Sequence, residues 1–236
     1  LNYDNRFLKT FIDLFTKPDD IIDGYINGVR RKYVNVVSYF AIALTVSGLQ
    51  LLILDKFFPE AMDMSAITME NNPTSPNSSE MINFIREYQS ILMMLNVPMY
   101  ALISYFVFYT LKKYNYTEHI VIFMYILSQL TLIGTVITIT SAYFDLSIAH
   151  ASLILFPVQF FYSIYCLQKL YKLSVKGVIL RTLLFFAIII LITLIYLIIV
   201  IVIALLNGSM QEAIEAQKAA SPKSSYLFLL NKLHLV

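Results

Sequence analysis

Charge is scarce in this chain. Only 14% of its 236 residues are charged, where soluble domains carry about 25%. Hydrophobic residues make up 58% and the mean hydropathy is +0.71. A soluble protein cannot hide that much apolar surface, so lipid must cover part of it. The formal net charge of +2 selects no partner by itself, and no nucleic-acid partner is expected. Cysteine is nearly absent. Cys166, the one cysteine, excludes an internal disulfide and a cysteine-based zinc site, and its apolar neighbourhood reads as a buried free thiol. The three histidines, His119, His150 and His234, fall at opposite ends of one apolar run and in the tail, which argues against a shared metal. There is no phosphate loop, zinc-protease helix motif or Gly-x-Ser-x-Gly elbow. No catalytic residue, metal or cofactor is therefore expected.

What is present is a series of long apolar runs. The first begins abruptly after Arg30-Arg31-Lys32 and continues without charge for about the 20 residues a helix needs to cross a bilayer. Five such runs, at 33–54, 89–111, 120–143, 151–170 and 178–206, predict an all-α polytopic membrane protein with five transmembrane helices. At 1.5 Å per residue the last would cover roughly 43 Å, so it must tilt or protrude.

Ahead of the spans, residues 1–32 form a separate segment of two short amphipathic helices. In the first, 2–17, Phe7, Leu8, Phe11, Leu14 and Phe15 share one face. Pro18 divides the two helices. The second, about 20–32, places Ile22, Ile26 and Val29 on one side and ends in the three cations. This pair is either a hairpin lying on the membrane surface or a small cap packed on the bundle. The chain opens on Leu1 without a signal-peptide pattern, which suggests a missing upstream segment.

Most of the 17 Lys and Arg residues precede the first span or lie in the 112–113 and 169–181 connections. The positive-inside rule then puts the N-terminus in the cytoplasm and the C-terminus outside, most simply in a bacterial inner membrane. The outer loop, 55–88, is acidic and polar with a flexible-looking tip at 71–79. It carries Met62, Met64 and Met69, read as loop packing rather than a copper site, and a glycosylation sequon at Asn77. The tail, 207–236, holds a short helical stretch at 210–220 and an apolar one at 226–230.

No ionisable group lies well inside a span; Arg181 sits at an entrance, where it can snorkel. This argues against a proton-coupled pump or a voltage sensor. Uncharged polar residues are plentiful, most of all in the third span. Gln129, Thr131 and Thr135, with Asn96 near Pro98 in the second span and Gln159 near Pro157 in the fourth, form the candidate polar site within the membrane. The bland alternative is interhelical hydrogen bonding and simple proline kinks. At the membrane interface, Arg30, Arg31, Lys32, Tyr25 and Tyr33 are the candidates for lipid-headgroup contact.

Thr10-Phe11, Leu14, Pro18, then Tyr25-Ile26-x-Gly28-x-Arg30-x-x-Tyr33 and Tyr39 resemble the start of the DUF3667 family, membrane proteins found mainly in Bacteroidota. The likeness covers roughly 7–40. It implies a membrane protein whose motif immediately precedes the first span, and it lends no activity. Members often carry an N-terminal Cys-rich, zinc-ribbon-like stretch; no such Cys occurs here, so that part is either trimmed or absent. The five-span layout is also similar in topology to Yip1-type trafficking proteins. Arg30 is expected to pair with lipid phosphate or with Asp23.

Three functions compete at this point, of which an intramembrane enzyme ranks last because it needs a nucleophile or metal set that the sequence does not assemble. The first is a non-enzymatic scaffold or accessory subunit that binds the bilayer together with membrane-protein partners or further copies of itself. The alternative is a small transporter, channel or lipid conduit built on the third span's polar stripe. A stripe that lines a cavity favours the second; a stripe buried against Ser38, Thr45, Ser47 or Ser104 favours the first.

Overall fold

The computed structural model describes residues 6–62 and 87–206. Among the described residues there are seven α-helices and no strand. They are α1 (Arg6–Thr16), α2 (Pro18–Ile26), α3 (Val36–Phe57), α4 (Gln89–Phe108), α5 (Tyr116–Tyr143), α6 (Ile148–Tyr171) and α7 (Val175–Leu206). Helices α3 to α7 are long and apolar enough to cross a membrane, in agreement with the five spans read from the apolar runs. The expectations for the tip at 71–79, Asn77, Met64, Met69 and the tail lie outside the described residues.

The chain divides into two compact units, 1–185 and 186–236. In the first, α5 is the hub. Helices α3, α4 and α6 all pack along it, and it is the most buried of the spans. Its start is fixed by a capping box: Asn115 Oδ1 accepts from the Glu118 amide at 3.0 Å, and Glu118 Oε2 accepts from the Asn115 amide at 2.7 Å. In the second unit, α7 residues 186–199 are almost entirely Ile, Leu and other apolar types, and Thr193 satisfies its hydroxyl on the Ile189 carbonyl at 2.9 Å.

The N-terminal helices pack on the bundle as a cap. α2 packs on α5 and α6 and buries Pro18, Ile21 and Ile22. In α1 the buried positions are Thr10 and Leu14, whereas Leu8 and Phe15 are 52% and 42% exposed. The buried face is thus rotated from the purely apolar one expected. Thr10 belongs inside because its hydroxyl accepts the Val34 amide at 3.0 Å and donates to the Arg6 carbonyl at 2.7 Å.

Helix α2 also stops earlier than its pattern predicts. Gly28 adopts φ +91°, the Val29 amide donates to the Gly24 carbonyl at 2.8 Å, and the Gly28 amide donates to the Tyr25 carbonyl at 3.1 Å. This pair of bonds is a Schellman cap, and glycine fits the left-handed position without a Cβ penalty. Arg30, Arg31 and Lys32 therefore lie in the connection to α3 and not at the end of a helix. The first span begins at Val36 because Asn35 caps it, its Oδ1 accepting the Val37 amide at 2.9 Å.

Candidate functional site

Uncharged polar side chains from α5 go to two different places. One set holds the cap. Gln129, fully buried near the middle of α5, accepts the Tyr39 hydroxyl on Oε1 at 2.5 Å and donates from Nε2 to the Phe11 carbonyl at 3.1 Å. Tyr125 donates to the Val34 carbonyl at 2.9 Å. From α6, Tyr162 and Tyr165 donate to the Leu14 and Thr16 carbonyls at 3.3 and 3.0 Å. Both carbonyls belong to the last turn of α1, where no intrahelical donor reaches, so the bundle supplies the missing donors.

Carboxylates lock the outer side of the cap. Tyr33 donates to Asp13 and to Asp20, both at 2.8 Å, and Lys32 reaches Asp20 at 2.5 Å. Asp23 accepts from Tyr114 and lies 3.4 Å from Lys113 Nζ. The Lys32 and Tyr33 hydrogen bonds hold Asp20 below the ordinary carboxylate range. Burial first, then the Asp20 and Asp13 carboxylates, push Tyr33 well above the ordinary phenol range. Burial and Asp23 do the same to Tyr114.

The second set lines a cavity of ≈ 360 Å³ among α3, α4, α5 and α6. Ser47 and Gln50 come from α3, Gln89, Asn96 and Tyr100 from α4, Thr131, Thr135 and Thr138 from α5, and Gln159 from α6. No charged residue is among the lining side chains. Four of these polar groups find protein partners across the cavity wall. Thr135 donates to Gln50 Oε1 at 2.8 Å, and Gln89 donates to Ser47 Oγ at 2.9 Å; Thr131 makes a longer contact of 3.6 Å to Met93 Sδ. The side-chain amides of Asn96 and Gln159 have no hydrogen-bond partner among the described residues and face the cavity.

Of the five residues expected to form the intramembrane site, the structure brings four to this cavity: Asn96, Thr131, Thr135 and Gln159. Gln129 is absent from its lining and serves the cap. Both prolines lie within two residues of the unpartnered amides, and α4 and α6 run through them. The interfacial candidates also divide. Tyr33 is buried in the carboxylate lock. Tyr25 packs edge-on against Tyr125 and carries Arg30 over its ring at 5.4 Å. Asp23 is engaged by Lys113 and Tyr114, while Arg30, Arg31 and Lys32 remain exposed.

Several contributors escape a residue-by-residue reading. Gln89, Met93, Asn96 and Tyr100 are spaced i, i+4, i+7, i+11, and Thr131, Thr135 and Thr138 are spaced i, i+4, i+7. Helical periodicity of the polar positions in both spans was the available signal. A further polar node ties α4, α5 and α6 together. Buried His119 meets Ser104 Oγ through Nδ1 at 3.0 Å and the Tyr171 hydroxyl through Nε2 at 3.1 Å. Both ring nitrogens are thereby occupied, which makes it a structural tie. Arg181 donates to the Val107 carbonyl at 3.1 Å and to Thr110 Oγ1 at 3.0 Å, at the end of α4 where carbonyls lack intrahelical donors. Cys166 is buried, as its surroundings suggest. Among the described residues no three of His, Cys, Asp and Glu gather as a metal-binding set.

The family model described as "Protein of unknown function (DUF3667)" matches residues 4–48. Over this stretch the chain is similar to that family. Neither the curated proteins nor the solved structures compared with the chain gave a match. The DUF3667 match covers α1, α2, their connection and the first half of α3. Its motif acquires physical roles in this fold. Pro18 is the first residue of α2, Gly28 ends that helix, Tyr33 joins Asp13 to Asp20, and Tyr39 joins α3 to Gln129. The matched stretch is thus the cap, its connection and the start of α3, and the cavity is built from helices mostly beyond it.

Proposed function

We propose that this integral membrane protein takes a ligand bearing an uncharged polar group into the cavity among α3 to α6, acting as a small transporter or conduit without an enzymatic step. The observation that carries the reading is the pair of unpartnered amides, Asn96 and Gln159, on that cavity. An amide moved from water to apolar surroundings without a hydrogen bond costs roughly 1–3 kcal/mol by protein mutational scales. Both side chains are half-buried, where water or a ligand can serve them. The all-neutral lining favours an uncharged polar ligand over an ion. The distribution of cations supports an N-terminus in the cytoplasm, with the cap on that side and the cavity nearer the other.

A scaffold or accessory role is the second reading. Its support is exposed apolar surface on the cap, with Ile12 and Val29 50% and 53% exposed, together with the exposed cations Arg30 and Arg31. That surface suits lipid or a partner protein, including another copy of the chain.

The test of the first reading is cysteine labelling of the full chain in membranes with a small, hydrophilic, membrane-impermeant thiol reagent. Cys166 is fully buried and gives a low background. Asn96→Cys, Thr135→Cys and Gln159→Cys should react, while Leu102→Cys and Phe161→Cys, exposed at 46% and 67% on the apolar surface, should not. Cavity positions as unreactive as those two would overturn the reading, and the scaffold role would take its place.

A further inference from the structure

The cap and the bundle meet in a second recess, of ≈ 450 Å³. Asp19, in the first turn of α2, lines it together with Tyr165, Gln168 and Lys169 near the end of α6 and Lys172 and Leu173 just after it. Tyr165 fixes the junction by donating to the Thr16 carbonyl at 3.0 Å. Asp19, Gln168 and Lys172 make no hydrogen bond or ion pair among the described residues, and Lys169 lies over the Tyr165 ring at 5.9 Å. The two lysines are exposed, whereas Asp19 and Gln168 are half-buried. Two ammonium groups and a carboxylate thus share one recess without neutralising each other.

The recess continues into a stripe along α6. Phe161, Tyr165, Gln168 and Lys172 follow at spacings of four, three and four, which places them on one side of the helix. Phe161 is 67% exposed and lies ten residues, about 15 Å, back from Tyr171 at the helix end. From Phe161 to Lys172 the stripe passes from apolar to aromatic to amide to cation. A phospholipid presents acyl chain, ester region and phosphate in the same order. Phe15, 42% exposed and edge-on to Tyr162 at 6.0 Å, widens the apolar end. The level fits as well: α1 meets Val34, just ahead of the first span, through Thr10, and meets α6 at Tyr162 and Tyr165.

Charge narrows the choice of head. Two ammonium groups against one carboxylate are balanced by a single negative charge, which is what a phosphodiester carries. A phosphomonoester head, at about −1.5 to −2 near pH 7, overfills that balance and meets Asp19. Asp19 accepts hydrogen bonds and cannot donate them when ionised, so it suits a head with hydroxyl groups beyond the phosphate. A choline head offers it no N–H or O–H.

We infer that the recess between Asp19 and the end of α6 binds an anionic phosphodiester lipid with a hydroxyl-bearing head, the phosphate between Lys169 and Lys172 and an acyl chain along Phe161. The inference is independent of the cavity among α3 to α6 and stands if that site fails its own test.

The experiment uses the full chain in phosphatidylcholine vesicles containing a photoactivatable phosphatidylglycerol, phosphatidic acid or phosphatidylcholine, each with the reactive group in the acyl chain near the ester, and maps crosslinks by mass spectrometry. The phosphatidylglycerol probe should label 157–165 most strongly, and excess unlabelled phosphatidylglycerol should abolish that labelling. Lys169→Gln combined with Lys172→Gln should lower it roughly tenfold, the consequence of losing a charge-assisted hydrogen bond to phosphate. Lys176→Gln, an exposed cation outside the lining, should leave it unchanged. Asp19→Ala should narrow the preference for phosphatidylglycerol over phosphatidic acid. Equal labelling by the phosphatidylcholine probe, a loss in Lys176→Gln as large as in the double variant, or an unchanged preference in Asp19→Ala overturns the inference. Competition by water-soluble glycerophosphate as strong as that by phosphatidylglycerol also overturns it, by assigning the recess to a soluble phosphate.

Discussion

Helix α5 carries uncharged polar side chains to the cap and to the cavity, with opposite outcomes. Around the cap, Gln129 uses its carbonyl for Tyr39 and its amide for the Phe11 backbone, Tyr125 finds the Val34 carbonyl, and Thr10, Asp13, Asp20, Asp23 and Tyr33 all have partners. Two helical turns on, Thr135 pairs with Gln50, but Asn96 and Gln159 across the cavity pair with nothing among the described residues. A polar group inside a span is structural when its neighbours complete its hydrogen bonds, and available when they do not. The two regions should therefore answer substitution differently.

The largest effect is expected where the cap meets the bundle by packing. Leu14 is fully buried under the aromatic contact of Phe15 with Tyr162. Leu14→Ala should lower stability by about 2–5 kcal/mol, the range for emptying a buried leucine site. The measurement is thermal unfolding in detergent, together with tryptic cleavage at Arg6 and Lys9. A Tm unchanged from the parent protein would mean that the cap is not anchored by this face.

Next comes the polar part of the same interface. Gln129→Leu removes both bonds at once and leaves the Tyr39 hydroxyl and the Phe11 carbonyl buried without that partner, a loss of about 1–3 kcal/mol. Tyr39→Phe in the same background should then cost little further, because the two groups share one interaction. Additive losses in that double-mutant comparison would break the link between Gln129 and the cap.

A smaller effect is set by pH. Asp20 is held below its ordinary range by Lys32 and Tyr33, so its contribution is present above the unfolded carboxylate pKa of about 4 and is lost as pH falls through the lower folded value. Tyr33 is held above the phenol range. Its contribution is complete below about pH 10 and is lost as pH rises through the higher folded value. Cap stability should thus decline at both extremes. Asp20→Asn should flatten the acid limb of a Tm-against-pH curve, and an acid limb of unchanged steepness would sink the assignment. Because Lys32 and Asp20 are both more than 40% exposed, the effect shrinks in salt.

The spans were legible because a continuous apolar run of bilayer length admits few alternatives, and their observed limits differ from the expected ones by a few residues. The cap's docking was not, since an amphipathic helix presents the same pattern to lipid and to protein. What the pattern could not show was the partners on the bundle, where Gln129, Tyr162 and Tyr165 reach the Phe11, Leu14 and Thr16 carbonyls. The early end of α2 was encoded in Gly28 but was outweighed by the apolar spacing of Ile22, Ile26 and Val29; Val29 lies beyond the helix and is 53% exposed. Gln129 illustrates the deeper limit. Its type and depth match those of Gln159, and only the three-dimensional partners separate a cap anchor from a cavity group.

The smallest expected effect is the sharpest test of that separation. Asn96 and Gln159 make no protein hydrogen bond among the described residues, so exchanging either for leucine orphans no partner. Replacement of a poorly satisfied polar group by an apolar one of similar shape is close to neutral or stabilising, and Gln159→Leu and Asn96→Leu should each change stability by less than about 0.5 kcal/mol. Gln129→Leu is the same chemical exchange in the same membrane bundle. A loss at Gln159 as large as that at Gln129, read by thermal unfolding under identical detergent conditions, would mean that Gln159 has a protein partner after all, and the cavity would lose its claim to be a binding site. Near-neutral stability combined with reaction of Gln159→Cys with the impermeant thiol reagent would leave that side chain one remaining role, the contact with what enters.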